Sequence, residues 1–334
     1  MSEKSNTPFL SVKNLVVEYT SDGQKIQAVN GVSFDLEKGK TLGLVGETGA
    51  GKTTIAKTIL RILPDRAAFV RGGEVLVNGE DLLKLPEEEM RKHRGNLISM
   101  VFQDPMTALN PTMRVGDQIK EVIIHHNDIT EDEAEKRAGK MLEMVGIPAA
   151  RYKEYPHQFS GGMKQRVVIA IALACTPEIL LADEPTTALD VTIQAQVLDM
   201  INDLKRKNNT SMILITHDLG VVATVCDDVA VVYGGQIVEV GTKEQIFDHP
   251  HHPYTIGLFN AIPSMNVDEE YLHPIEGLPP DPANLPKGCS FNPRCPYATD
   301  ACRKEGVIPE VITADGHKCR CLNLDKVKEG GIQK

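Results

Sequence analysis

The sequence predicts an α/β fold: a largely parallel core sheet flanked by an antiparallel β subdomain, with an inserted helical subdomain and a loop-rich C-terminal extension. Three observations lead there. From about Phe9 to Val240, short apolar runs alternate with segments of helical period, the pattern of βαβ units. From about Asp104 to Cys175 the strand signals vanish. After His249 prolines become dense, and five of the seven cysteines crowd into Cys289–Cys321. With 334 residues, the chain is expected to divide into two domains, residues 1–250 and 251–334, with the helical insert at about 104–175.

Taken in order, Leu42–Val45 reads as a buried strand, and Thr53–Leu63 as a helix with Ile55, Ile59 and Ile62 on one face and Pro64 as its stop. Gly73–Val77 runs into Asn78-Gly79, a hairpin signal that places an antiparallel piece beside the main sheet. Leu97–Val101 is the next strand. Glu131–Val145 carries Ala134, Ala138, Met141, Leu142 and Val145 at helical spacing, and Val167–Ala174 reads as a buried helix end. Strands return at Ile179–Ala182, Met212–Thr216 and Val229–Val232, with a helix around Ile193, Val197, Ile201 and Leu204 between the first two. Gly234-Gly235 then joins Val229–Tyr233 to Gln236–Val240 as a hairpin.

Composition excludes several classes. The longest apolar run, Val167–Cys175, has nine residues, against the roughly 20 that a membrane span needs. The opening Met1-Ser2-Glu3-Lys4-Ser5-Asn6 lacks the apolar core of a signal peptide, so the chain is expected in the cytoplasm. The 46 acidic and 36 basic side chains leave a formal charge of −10, whose field opposes non-specific contact with nucleic acid or anionic lipid.

Gly46-Glu47-Thr48-Gly49-Ala50-Gly51-Lys52-Thr53 fits G-x-x-x-x-G-K-[ST] between an expected strand and an expected helix, with Thr54 following. Its glycines let backbone N–H groups wrap phosphate oxygens, and the helix N-terminus adds partial positive charge. Lys52 reaches the β- and γ-phosphates and the Thr53 hydroxyl coordinates Mg²⁺. Ile179-Leu180-Leu181-Ala182-Asp183-Glu184 is an apolar strand ending in two carboxylates. Asp183 suits a place beside the Mg²⁺ and Glu184 the polarisation of an attacking water. His217 follows a strand and is placed to hydrogen-bond a γ-phosphate; on its own, a histidine there is an ordinary strand-end residue.

At Phe159-Ser160-Gly161-Gly162-Met163-Lys164-Gln165-Arg166 the set resembles the signature of ATP-binding cassette (ABC) ATPases. Tyr19 then matches the aromatic loop residue, Gln103 the residue after strand Leu97–Val101, Ala188-Leu189-Asp190 the D-loop and His217 the switch histidine. The motifs stand in the family's order. Phe159 and Met163 depart from the commoner Leu-Ser-Gly-Gly-Gln. That variant, the run Gln103-Asp104-Pro105-Met106-Thr107-Ala108-Leu109-Asn110-Pro111, and His252-Pro253-Tyr254-Thr255 are similar to the oligopeptide/dipeptide importer branch.

The resemblance implies a P-loop NTPase (RecA-like) core that hydrolyses ATP with Mg²⁺. Glu184, His217 and Gln103 are the catalytic residues, and Thr53, Gln103 and Asp183 hold the metal. Tyr19 stacks on adenine. Ser160, Gly161 and Gly162, at a helix N-terminus, bind the γ-phosphate of nucleotide held by a second subunit, and Asp190 completes the site. The partners it implies are an identical or related ATPase subunit in a head-to-tail dimer, two transmembrane permease subunits and an extracytoplasmic peptide-binding protein, with the chain peripheral on the cytoplasmic membrane face and no nucleic acid involved. A soluble ABC ATPase acting on DNA or ribosomes is the alternative. Repair-type members insert long coiled coils and ribosome-associated ones carry two cassettes, whereas this chain has one P-loop and a short insert.

Cys289, Cys295 and Cys302, followed by Cys319 and Cys321, lack the C-x₂-C spacing of zinc ribbons. Thiolate-only ligation suits a 4Fe–4S cluster; zinc and free thiols or a disulfide are the alternatives. The branch's closing Gly-His-x-x-x-Cys, here Gly316-His317 to Cys321, selects Cys321 as fourth ligand and leaves Cys319 a bystander or alternate. Cys175 and Cys226 are expected to be small buried core residues.

Overall fold

Alternation of buried and exposed side chains shapes the first sheet. In the computed structural model, which describes residues 8–21, 23–186, 191–261 and 275–329, β1 (Leu10–Ser21) buries Leu10, Val12, Leu15 and Val17. It lies between β2 (Gln24–Leu36) and β4 (Ala68–Val77), with β5 (Glu80–Asp81) at the edge. β1 and β4 run antiparallel from Leu10↔Val77 to Tyr19↔Ala68, slipping at bulges between Lys13 and Val17. The β4–β5 turn holds Asn78 at φ 51 and Gly79 at φ 87, the left-handed pair that an Asn-Gly hairpin supplies cheaply. This is the antiparallel subdomain the sequence predicts.

The chain forms two compact units, Met1–Asp35 with Leu42–Asp81 and Thr216–Lys334, and Leu36–Thr41 with Leu82–Ile215. Besides the first sheet, the former holds five strands in the order β11 (Val311–Ile312), β12 (Lys318–Cys319), β10 (Gln236–Thr242), β9 (Asp228–Tyr233), β3 (Thr41–Val45). β3 is buried throughout and parallel to β9 from Leu42↔Asp228 to Val45↔Val231. Gly234 (φ 53) and Gly235 (φ 75) close the β9–β10 hairpin. α1 (Lys52–Ile59) follows the P-loop and ends sooner than the expected Leu63. Arg61 adopts φ 52 and donates to Thr58 O at 3.0 Å, and Ile62 donates to Lys57 O at 3.0 Å. These two bonds close the helix in a Schellman motif before Pro64 is reached.

The residues after His249 hold more regular structure than their proline content suggests. α8 (Leu219–Val225) and α9 (Lys243–Asp248) precede α10 (Pro253–Asn260), and α11 (Leu324–Glu329) comes last. Pro253 occupies the first turn of α10, where its missing N–H costs nothing, and the His252 side chain caps the helix by accepting from Tyr254 N at 3.1 Å. At this position a proline starts a helix rather than ending one. β12 in turn pairs antiparallel with β10 at Glu239↔Cys319 and Val240↔Lys318.

The second unit holds three parallel strands in the order β8 (Ser211–Ile215), β7 (Ile179–Asp183), β6 (Ile98–Val101), all three fully buried. Each apolar side chain there contributes roughly 1.5–3 kcal/mol by leaving water. After α2 (Glu87–His93), the helical insert comprises α3 (Pro105–Ala108), α4 (Val115–His126), α5 (Glu131–Met144) and α6 (Gly161–Leu173), and no strand occurs between α3 and α6. Thr130 caps α5 by accepting from Glu133 N at 3.3 Å, and Glu131, Asp132 and Glu133 complement the helix dipole. α7 (Val191–Asn208) lies between β7 and β8 in sequence. Cys226 is buried as expected. Cys175 is not: it sits half-buried in the turn after α6, its thiol donating to Val122 O at 3.6 Å.

Candidate functional site

The loop Gly46–Gly51 joins β3 to α1. Gly46 (φ 147) and Gly51 (φ 101) are glycine by necessity: a Cβ would lie 2.1 Å from Val232 O at the first and 2.3 Å from Ala28 O at the second, at backbone angles L residues avoid. Buried Lys52 turns its ammonium back into the loop, Nζ donating to Gly46 O at 2.6 Å and to Glu47 O at 2.9 Å. Thr53 and Thr54 are half-buried in the first turn of α1. Tyr19 lies within β1 rather than in a loop, its hydroxyl 3.4 Å from Thr54 Oγ1. Its side chain is half-exposed, although β1 is paired on both sides.

Sequence reasoning missed what holds this loop in place. Glu47 N–H donates to Tyr254 Oη at 2.9 Å. The Glu47 carboxylate takes a two-pronged contact from Arg294, Nη1 to Oε2 at 2.8 Å and Nη2 to Oε1 at 3.0 Å. Arg294 is almost fully buried and also donates to Glu276 O at 3.0 Å, Ile275 O at 3.2 Å and Tyr233 Oη at 3.3 Å. Tyr233, Tyr254 and Phe291 pack around it with ring centroids 4.4–5.4 Å apart. Pairings across more than 200 residues leave no local signal.

In the other unit, β7 ends at Asp183, 3% exposed, followed by Glu184 in the left-handed conformation at φ 46. Its N–H is held by Ile215 O at 2.8 Å, and one carboxylate oxygen accepts from Gln103 Nε2 at 2.8 Å. The residues the sequence assigns to the water-activating role therefore touch. Ser160 caps α6, Oγ accepting from Met163 N at 3.4 Å, while Ser160 and Gly161 stay exposed at the helix start. The departures at Phe159 and Met163 share a contact: the Arg151 guanidinium lies 4.3 Å from the Phe159 ring centroid and donates to Met163 Sδ at 3.3 Å. His217 follows β8, exposed, in the unit that carries the P-loop. Ala188-Leu189-Asp190 lies outside the described residues.

Cys289, Cys295, Cys302 and Cys321 line one small pocket, with His252, Phe291 and Asn323 among its walls. Cys319 is not among them; it is buried on β12 opposite Glu239. Burial pushes the Cys289 and Cys321 thiols up and Cys295 to about 11, reinforced by the neighbouring thiols. At Cys302 burial acts the same way, but hydrogen bonds from Thr299 and Asn323 outweigh it, and its pKa falls below the usual value. Asn323 donates Nδ2 to Cys302 Sγ at 3.3 Å and its backbone N–H to Cys321 Sγ at 3.4 Å, the kind of outer contact that steadies ligating sulfurs.

Glu239, wholly buried, ties this region to β10. It accepts from His251 N at 2.5 Å and His252 N at 3.0 Å, and lies 2.9 Å from His317 Nε2. Burial lowers the His252 imidazole to about 4, against an ordinary value of 6.5. As pH falls below 6.5 the unfolded chain protonates first, so the stabilisation is complete above 6.5 and declines toward pH 4, by up to about 3 kcal/mol. The Tm is expected to drop more between about pH 7.5 and 5 in the native chain than in His252→Asn, whose amide oxygen caps α10 without titrating. Equal slopes would contradict this.

Comparison with known proteins agrees with this geometry. The ABC transporter family matches residues 29–187, and the oligopeptide/dipeptide transporter C-terminal region matches residues 238–302. The chain belongs to the ABC transporter family, as an ATP-binding subunit with a P-loop NTPase core. It is 50% identical over 326 residues to the dipeptide transport ATP-binding protein DppD of Bacillus subtilis, 97% of each chain, and 48% identical to the oligopeptide transport ATP-binding protein OppD of Escherichia coli over 93% of this chain and 92% of that one. Among solved structures, a dimeric ATP-binding cassette in a post-hydrolysis state with ADP and phosphate superposes with a TM-score of 0.64 at 26% identity, covering 70% of this chain and 98% of the other. No helix among the described residues is long and apolar enough to cross a membrane.

Proposed function

We infer that this chain is the ATP-hydrolysing subunit of a dipeptide/oligopeptide ABC importer, residues 1–250 handling nucleotide and 251–334 forming the importer-specific extension. The observation that carries this is the near full-length identity to a dipeptide transport ATP-binding protein, which includes the C-terminal region. Lys52 and the loop N–H groups hold the phosphates, with Tyr19 stacked on adenine. Thr53, Gln103 and Asp183 hold Mg²⁺, which supplies neutralising charge to the phosphates. Glu184 polarises the attacking water and His217 contacts the γ-phosphate. Ser160, Gly161, Gly162 and Asp190 act on nucleotide of a facing subunit, so each site needs two chains. The subunit docks at the cytoplasmic face on two permease subunits, fed by an extracytoplasmic peptide-binding protein. Co-expression with the neighbouring permease subunits tests this: a stable complex whose ATPase rate rises with peptide-loaded binding protein is expected, and failure to associate refutes it.

The four-cysteine pocket offers the all-thiolate set that a 4Fe–4S cluster takes, with N–H donors at two sulfurs and Cys319 outside, and its cysteines lack the C-x₂-C spacing of a zinc ribbon. The group's chemistry here is structural: it ties down an extension that buries little apolar surface. Anaerobically purified protein is expected to absorb near ~400 nm, and Cys302→Ala to lose that band. A colourless preparation with stoichiometric zinc overturns the assignment.

A further inference from the structure

Glu47 stands inside the phosphate-binding loop, yet its carboxylate is directed at Arg294, 247 residues away. A carboxylate beside a triphosphate is a liability, because unpaired it repels the ligand. Arg294 removes that charge through a planar two-pronged pair, its own side chain nearly excluded from water and that of Glu47 partly exposed. Its remaining donors go to the Ile275 and Glu276 carbonyls and the Tyr233 hydroxyl, which hold the guanidinium in place independently of the loop. Tyr254 fixes the same residue from its backbone side, through Glu47 N–H. Arg294 is also the residue immediately before Cys295, and Phe291, which packs against Tyr233 and Tyr254, lines the cysteine pocket.

We propose that Arg294 and Tyr254 are positioning residues for nucleotide binding: the cysteine-bearing extension clamps Glu47, neutralises it and pre-sets the phosphate loop, so that the occupancy of the cysteine pocket is felt as ATP affinity. The last clause rests on the cluster reading above; the clamp itself does not.

Charge neutralisation leaves a signature that mere structural support does not share. In the full-length chain, Arg294→Ala removes the hold and leaves an unpaired carboxylate in the loop, and equilibrium binding of Mg²⁺-ATP is expected to weaken about tenfold. Glu47→Gln removes the hold and the charge together and weakens binding only about threefold. The double variant binds like Glu47→Gln alone, so the second change rescues the first. Tyr254→Phe, which keeps the ring packing, weakens binding by a few fold. Native affinity in folded Arg294→Ala, or losses that multiply in the double variant, overturns the clamp. Glu47→Gln serves as the folding control, since its partly exposed side chain carries little packing. For the link to the pocket, Cys302→Ala is expected to weaken ATP binding in the native background and to add nothing in Arg294→Ala. An unchanged affinity in Cys302→Ala overturns that link. Absence of iron sinks the cluster reading separately, with the Arg294→Ala result still standing.

Discussion

Glu184→Gln is expected to lower ATP turnover by about 10²–10⁴-fold, the range lost with a positioned general base, while ATP affinity stays within about threefold of native. The substitution is nearly isosteric. An amide oxygen at the same place still accepts from Gln103 Nε2, as the carboxylate does at 2.8 Å. The left-handed backbone at φ 46 and the N–H bond to Ile215 O at 2.8 Å are indifferent to the side-chain charge. Binding without hydrolysis should trap the ATP-loaded dimer, so sedimentation with ATP and the partner subunit is expected to report a doubled mass. A persistent monomer, or an unaltered turnover rate, contradicts both the assignment of Glu184 and the two-chain site.

Lys52→Ala should act on binding and chemistry together. Removing a charge-assisted donor to phosphate costs about 1.5–3 kcal/mol, or roughly 10–150-fold in affinity, and turnover falls by a further ~10²-fold as charge develops on the transferred group. The fold should survive. Gly46 O and Glu47 O lose their bonds to Nζ at 2.6 and 2.9 Å, but Tyr254 and Arg294 continue to hold Glu47. Near-native Tm with lost nucleotide binding is the expected result; native ATP affinity would remove Lys52 from the phosphate site.

What could be read from the residues alone was contiguous. A phosphate loop needs glycines at fixed offsets, because only they adopt the angles seen at Gly46 and Gly51, and a buried strand such as β7 announces itself by an unbroken apolar run before Asp183. The helical insert was legible for the same reason, through the period of Ala134, Ala138, Met141 and Leu142. Two kinds of feature were not. Helix ends depend on single backbone choices, as at Arg61, where a non-glycine residue takes φ 52, and at Pro253, whose role reverses with its position in the turn. Side-chain pairs such as Arg294 with Glu47 depend on tertiary folding, and neither residue's neighbours carry a trace of the other.

The short ladder between β10 and β12 has a bearing on solubility. A terminal strand in a sheet offers a row of unsatisfied amides to any other extended chain. Glu239 and Val240 lie opposite Cys319 and Lys318, and Arg320 N–H reaches Val238 O at 2.8 Å. The tail thus works as a selvedge that stops the fabric of the sheet from being extended by strangers. A protein shorn of it would be prone to self-adhesion through β10 even with every phosphate-contacting residue intact.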